Sequence, residues 1–143
     1  MATRPEIVDY IRTLIKGEHE ANDRIESKLD ATGWEGYATF LNAVFFYAID
    51  RRFAGIRNDN AIIKFVAEMR TDIEGGGSEI DAPTAEQVVT SVLDSTVEFT
   101  ATPEMLAKIQ TLATYKALTE ENLSDAELDE LLTQAVQLAD SPA

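Results

Sequence analysis

The sequence predicts an all-α fold, a single-domain bundle of about five to seven helices around a central aromatic-rich helix at about residues 34–54. Three observations predict it. Apolar residues recur at spacings of three and four through most of the chain. Serine, threonine, asparagine or aspartate stands just ahead of each apolar run, where a helix needs acceptors for its first amides. Seven of the eleven aromatic residues (Trp34, Tyr37, Phe40, Phe45, Phe46, Tyr47 and Phe53) fall within one stretch of twenty.

Taken in order, Thr3-Arg4-Pro5-Glu6 reads as a helix start, with Thr3 as cap, Pro5 in the first turn and Glu6 reaching back as a capping box. Ile7, Val8, Tyr10, Ile11, Leu14 and Ile15 follow as a broad apolar face. Gly17 allows either a stop and restart or one long helix through Ala21, Ile25 and Leu29. The 4-3 spacing of positions 7, 11, 14, 18, 21 and 25 favours a long or kinked helix, although Glu18 then intrudes on the seam. Asp30-Ala31-Thr32-Gly33 breaks the pattern, and Thr32 with Glu35 forms a second capping box that opens the central helix.

On that helix Tyr37, Leu41, Val44 and Ala48 share one face, while Glu35, Thr39, Asn42 and Asp50 form the opposite strip. Phe46 lies within the polar strip and Phe53 lies seven residues further along it. A helix that is apolar nearly all round is enclosed on several sides, so both rings are expected under a second layer or a second subunit. A membrane span fails on length: Gly36 to Ile49 is an uncharged run of 14 residues, where about 20 are needed.

Arg51 and Arg52 suit the negative end of the helix dipole, and Ala54-Gly55 marks its end. Asn58 or Asp59 caps the next helix, in which Ile62, Ile63, Phe65, Val66, Met69 and Ile73 face inward. Lys64, Glu68 and Thr71 face out. Residues 74–80, with three consecutive glycines, read as a flexible loop. Asp81 and Pro83 start a helix carrying Val88, Val89, Val92 and Leu93. The β-branched run Ser95 to Thr100 fits a strand by composition, but a lone strand has no partner, so an extended connection is expected. Thr102-Pro103 opens a helix with Met105, Leu106, Ile109, Leu112 and Ala113 inward. Ser124 and Glu127 form a third capping box ahead of Leu128, Leu131, Leu132, Ala135, Val136 and Leu138.

Charge divides the chain. Residues 1–70 carry 10 of the 12 Lys and Arg against 11 acids, whereas residues 71–143 carry only Lys108 and Lys116 against 15 acids. The glycine loop lies at this boundary, so one domain, residues 1–143, joins a near-neutral N-terminal half to a strongly acidic C-terminal half. Such a field disfavours direct nucleic-acid binding and favours basic partners. The absence of cysteine excludes disulfides, thiolate metal sites and cysteine nucleophiles. The start shows no apolar signal segment, so a cytoplasmic location is expected.

Motifs for chemistry are weak. His19 is the sole histidine; with Asp23 four residues on it could share a metal, but a solvent-facing acidic turn explains it better. The Asp30 segment lacks the glycine and glutamate of a calcium loop. Gly75-Gly76-Gly77 lacks the Gly-Lys-Ser/Thr ending of a phosphate loop, and no serine occupies a nucleophile elbow. No catalytic residue, metal or cofactor is therefore expected. Arg51, Arg52, Arg57, Lys64 and Arg70 form the one basic concentration. Arg51, Arg52 and Arg57 are candidates to meet an anion or an acidic partner, against the plainer expectation that these cations pair with Asp50, Asp59, Glu68, Asp72 or the acidic half. A helix-turn-helix reading is poor, because the second helix offers only Lys64, Glu68 and Thr71 to bases.

Three function classes remain, in this order. A non-enzymatic protein-interaction module, self-associating through Phe46 and Phe53, comes first. An acidic regulator or decoy that occupies a basic, nucleic-acid-binding partner comes second. A small-ligand binder with a pocket beside the central helix, using Arg51, Arg52 or Tyr47, comes last.

Overall fold

The helix Tyr37–Arg52 (α3) runs through the middle of the bundle, and its neighbours explain its composition. The computed structural model describes residues 3–54, 58–73 and 77–141. In it α1 (Pro5–Lys16), α2 (His19–Thr32), α4 (Asp59–Asp72), α5 (Ala82–Leu93), α6 (Pro103–Glu120) and α7 (Asp125–Ala139) form a bundle with α3, with a one-turn 3-10 segment at Gly77–Glu79. No strand occurs among the described residues. The fold is the all-α bundle that the periodicity predicts.

α3 packs against α6, α7, α5 and α1, so Phe40, Leu41, Ala43, Val44, Phe45, Ala48 and Ile49 are all buried. Ion pairs and hydrogen bonds fix the directions. Asn42 meets Gln110 and Arg52 meets Glu120, so α3 and α6 run parallel. Arg51 meets Glu127 at the start of α7, so α3 and α7 run antiparallel. Residues from both sides of the glycine boundary thus form one core.

The favoured long helix over residues 4–30 is not present. Gly17 adopts φ 72°, which a side-chain-bearing residue disfavours, and the amides of Gly17 and Glu18 close back onto Leu14 and Thr13 carbonyls. This left-handed cap ends α1 and folds α2 back antiparallel. Tyr10–Glu26 and Arg4–Thr32 contacts run along the hairpin, and Asn22 Nδ2 donates to Tyr10 O and Thr13 Oγ1. Glu18, which would have intruded on the seam, is exposed in the turn.

Two expected caps are also absent. Thr32 is the last residue of α2, its hydroxyl donating to Lys28 O, and α3 begins only at Tyr37, behind Gly36 at φ 87°. Trp34 occupies the gap, donating from Nε1 to Asp30 and meeting Tyr10 and Tyr37 edge-on. Thr3 does not cap α1; its amide and hydroxyl donate to Asp140 and tie the two chain ends together. Asn58, Asp81, Thr102 and Ser124 do cap α4, α5, α6 and α7, the last as a full capping box. Ile63 and Leu138, both expected inward, are 48% and 43% exposed, because each lies at the margin of its helix's apolar stripe.

Within the expected flexible loop, residues 74–76 fall outside the described residues, and residues 77–80 are held firmly. Gly77 is buried against the end of α4, and a Cβ there would lie 2.9 Å from the Arg70 carbonyl oxygen and closer still to that of Met69. Arg70 Nε donates to Ile80 O at 2.8 Å, so one cation serves as a backbone clasp. Ile80 is itself buried. Glycine is required here by close approach of two backbones.

Candidate functional site

Of the sequence-derived site residues, Arg51, Arg52 and Phe53 gather at the C-terminal end of α3, and the structure separates their roles. Phe53 is not available to a second subunit. It is 1% exposed, because the chain turns immediately after Arg52 and drives the ring inward. There it meets Phe65 of α4 edge-on at 5.3 Å. The expected external cover for Phe53 is supplied by the same chain.

Arg52 lies over both rings, its guanidinium carbon 5.6 Å from the Phe53 centroid and 5.4 Å from that of Phe65. One terminal nitrogen reaches Glu120 at 3.6 Å, while Nε is buried without a hydrogen-bond acceptor. The ring faces supply its attraction instead. Arg51 donates through Nε to Glu121 at 2.8 Å and reaches Glu127 at 3.5 Å. Both arginines meet glutamates of the acidic half. Arg57 lies outside the described residues.

A residue the sequence reading did not single out completes this cluster. Lys116 of α6 is 4% exposed, pairs with Glu68 at 3.2 Å and with Glu120, and stands 5.4 Å over the Phe65 ring. Its signal was present: Lys116 follows Ile109 by seven residues and Ala113 by three, which places it in the apolar stripe of its own helix. Two cations, two carboxylates and two phenylalanines therefore close the α3–α4–α6 junction. These contacts join the three helices to one another.

Phe46 differs. It is 38% exposed, in the outer strip of α3 with Ala38, Thr39, Asn42 and Asp50, and its one ring partner is Tyr47, edge-on at 5.3 Å. The strip is otherwise small or polar, so a single ring stands out on an enclosed helix.

Two cavities bear on ligand binding. One of about 410 Å³ lies between α3 and α6, lined by Tyr37, Leu41, Asn42, Pro103, Leu106 and Gln110 among others. It includes neither Arg51, Arg52 nor Tyr47. The other, about 560 Å³, lies where α1, α4 and α6 meet the start of α2, lined by Leu14, Ile73, Leu112 and Tyr115 with His19, Asp72 and Thr111. His19 thus faces an apolar groove rather than a set of ligating carboxylates; among the described residues no group of three or more His, Asp or Glu is placed to hold a metal ion. Near the α1–α3 contact, burial raises Tyr10 to about 12, aided by Tyr37 and Glu26, and burial also raises Tyr37.

Opposite in character is the surface from the 3-10 segment to the first turns of α6. Residues 77–107 hold Glu79, Asp81, Glu86, Asp94, Glu98 and Glu104 and no lysine, arginine or histidine. Between α5 and α6 the run that composition marked as β-like has neither helix nor strand: an Asp94 turn accepts from the Thr96 amide and hydroxyl, and then Val97 to Thr102 run without regular structure. Phe99 in this run is 38% exposed.

No protein-family model, curated protein or solved structure matches the chain. No helix among the described residues is long and apolar enough to cross a membrane.

Proposed function

We propose that the protein is a non-enzymatic interaction module of the cytoplasm that meets a protein partner, another copy of itself included, through the outer strip of α3. One observation carries the reading: Phe46 leaves 38% of its surface open in the middle of a helix whose other aromatic rings are covered by this same chain or its flanking helices. A large ring in that position adds little to the core and is suited to fill a partner's pocket. The test is molar mass by light scattering from micromolar to millimolar protein, for the parent chain and for Phe46→Ser. Association that weakens at least tenfold in the variant supports the reading. A mass of 15.8 kDa at every concentration, together with unchanged partner capture by Phe46→Ser, overturns it.

A second reading has its own observation. Six acids and no cation over residues 77–107 favour a regulator or decoy that occupies a basic, nucleic-acid-binding protein, without direct nucleic-acid binding of its own. Capture of cationic peptides that falls steeply with added salt supports it, and capture indifferent to salt or absent counts against it.

A further inference from the structure

The connection between α5 and α6 carries an unspent capacity in its backbone. The Val97 amide donates to Asp94 O, and the next paired amide is that of Met105, which donates to the Thr102 hydroxyl. Between them, Glu98, Phe99, Thr100 and Ala101 neither donate nor accept any backbone hydrogen bond among the described residues. All but Ala101 are exposed. The run leaves the turn that the Val97 amide closes onto Asp94 and leads into extended backbone at Thr102, φ −67°, ψ 155°. The residue types alternate with the period of a strand: Val97 and Phe99 apolar, Glu98 and Thr100 polar. Such a segment offers the template that proteins otherwise blunt with lysine, proline or a covering helix, and here none of these intervenes between Asp94 and Thr102.

From this we infer that residues 97–101 are a docking strand, to which an extended basic segment of a partner protein adds by main-chain hydrogen bonds. Charge identifies the occupant. Glu98 lies within the segment, Asp94 and Glu104 flank it, and no cation occurs from residue 77 to residue 107. A complementary strand places lysines or arginines opposite Glu98 and apolar side chains beside Val97 and Phe99, the mode in which backbone bonds give affinity and alternate side chains give specificity. The inference rests on the acidic-regulator reading and adds to it a binding mode and a place.

The test uses the whole chain and three end-blocked octapeptides: one alternating valine and lysine, its twin with alternate backbone amides methylated, and one of the same composition with its lysines in a block. Affinity is measured by calorimetry, and the contact is located by amide resonances of the protein. Binding of the alternating peptide, with slowed exchange at two or more amides of residues 98–101, is the expected result. Loss of two backbone bonds in the methylated twin should weaken binding roughly tenfold, and Phe99→Ala should weaken it roughly threefold while leaving the circular dichroism of the protein unchanged. Equal affinity for all three peptides overturns strand addition and leaves the acidic reading standing. No binding of any cationic peptide overturns both. Binding by the alternating peptide with perturbations only outside residues 94–102 overturns the assigned place.

Discussion

Lys116 separates what an ammonium contributes from what its stem contributes. The side chain is 4% exposed while its carboxylate partners Glu68 and Glu120 keep 36% and 45% of their side-chain surface. Removing the cation therefore strands no carboxylate in a dry interior, since both acids turn to water at little cost. Removing the stem is another matter. Lys116→Ala deletes three buried methylenes at about 0.8 kcal/mol each, and the hole borders Phe65, so a loss of roughly 2–3 kcal/mol is expected. Lys116→Met keeps an apolar chain of similar reach and a sulfur over the Phe65 ring, and should stay within about 1 kcal/mol of the parent. At roughly 3 °C per kcal/mol for a chain of this size, the alanine variant should melt about 6–9 °C lower and the methionine variant within about 3 °C.

Thermal and urea unfolding followed by far-ultraviolet circular dichroism measure both. A methionine variant that falls as far as the alanine variant would refute the reasoning, because the ion pairs would then outweigh the packing. A double-mutant cycle with Glu68→Gln gives the pair energy directly, and a coupling below about 1 kcal/mol is expected for a half-solvated partner.

Three further outcomes follow from the same geometry. Phe53→Ala should cost about 3–5 kcal/mol by urea unfolding, since the ring is fully enclosed against Phe65 and Arg52, whereas Phe46→Ser should cost under about 1 kcal/mol. Gly77→Ala should destabilise by roughly 1–3 kcal/mol and speed amide exchange at Ile80, because the new methyl would press on the Met69 and Arg70 carbonyls. Stability should fail at both pH extremes. Glu79 (Lys108 hydrogen bond), Asp81 (Thr84 hydroxyl, then amide), Asp94 (Thr96 hydroxyl, then amide) and Glu127 (Ser124 amide, then hydroxyl) are lowered from their ordinary values of 4.5, 3.8, 3.8 and 4.5. Their contribution is whole above the unfolded values and lost as pH falls through the folded ones. Tyr10, raised from 10.0 to about 12, keeps its proton longer when folded, so stability declines as pH rises through that interval; denaturant midpoints across pH, with tyrosinate absorbance, check both limbs.

Helix existence was legible in the sequence, because the 3.6-residue period and the cap residues act locally. Asn58, Asp81, Thr102 and Ser124 need only their own next turn to do their work. Thr3 and Thr32 failed for a non-local reason: Asp140, 137 residues away, competes for Thr3, and the packing of Trp34 on Tyr10 and Tyr37 pulls the start of α3 past Glu35. Gly17 was ambiguous because a continuous seam and a reversal share one apolar pattern. The hairpin prevails through a left-handed cap and the Asn22 cross-links, which no spacing reveals. At the candidate site the aromatic stretch disclosed that α3 is enclosed but not by what. Only the fold of α4 beside α3 shows that Phe65 and Arg52 cover Phe53, while Phe46 faces outward.

The division of charge along the chain acquires a physical meaning once the ion pairs are placed. Arg12, Lys16, Arg51 and Arg52 of the first half reach Asp129, Asp125, Glu121, Glu127 and Glu120, all on α7 or the end of α6. The acids of these ion pairs thus lie in residues 120–129, and most of the pairs are solvent-facing and individually weak. Within residues 77–107, Arg70 of the first half clasps the Ile80 carbonyl and Lys108 reaches Glu79. Asp81 and Asp94 there accept from the Thr84 and Thr96 amides, while Glu98 and Glu104 lie within or beside residues 98–101, whose amides and carbonyls take no backbone hydrogen bond among the described residues. A positively charged strand laid along residues 97–101 satisfies those backbone groups and pairs Glu98, and the methylated-peptide experiment tests that account.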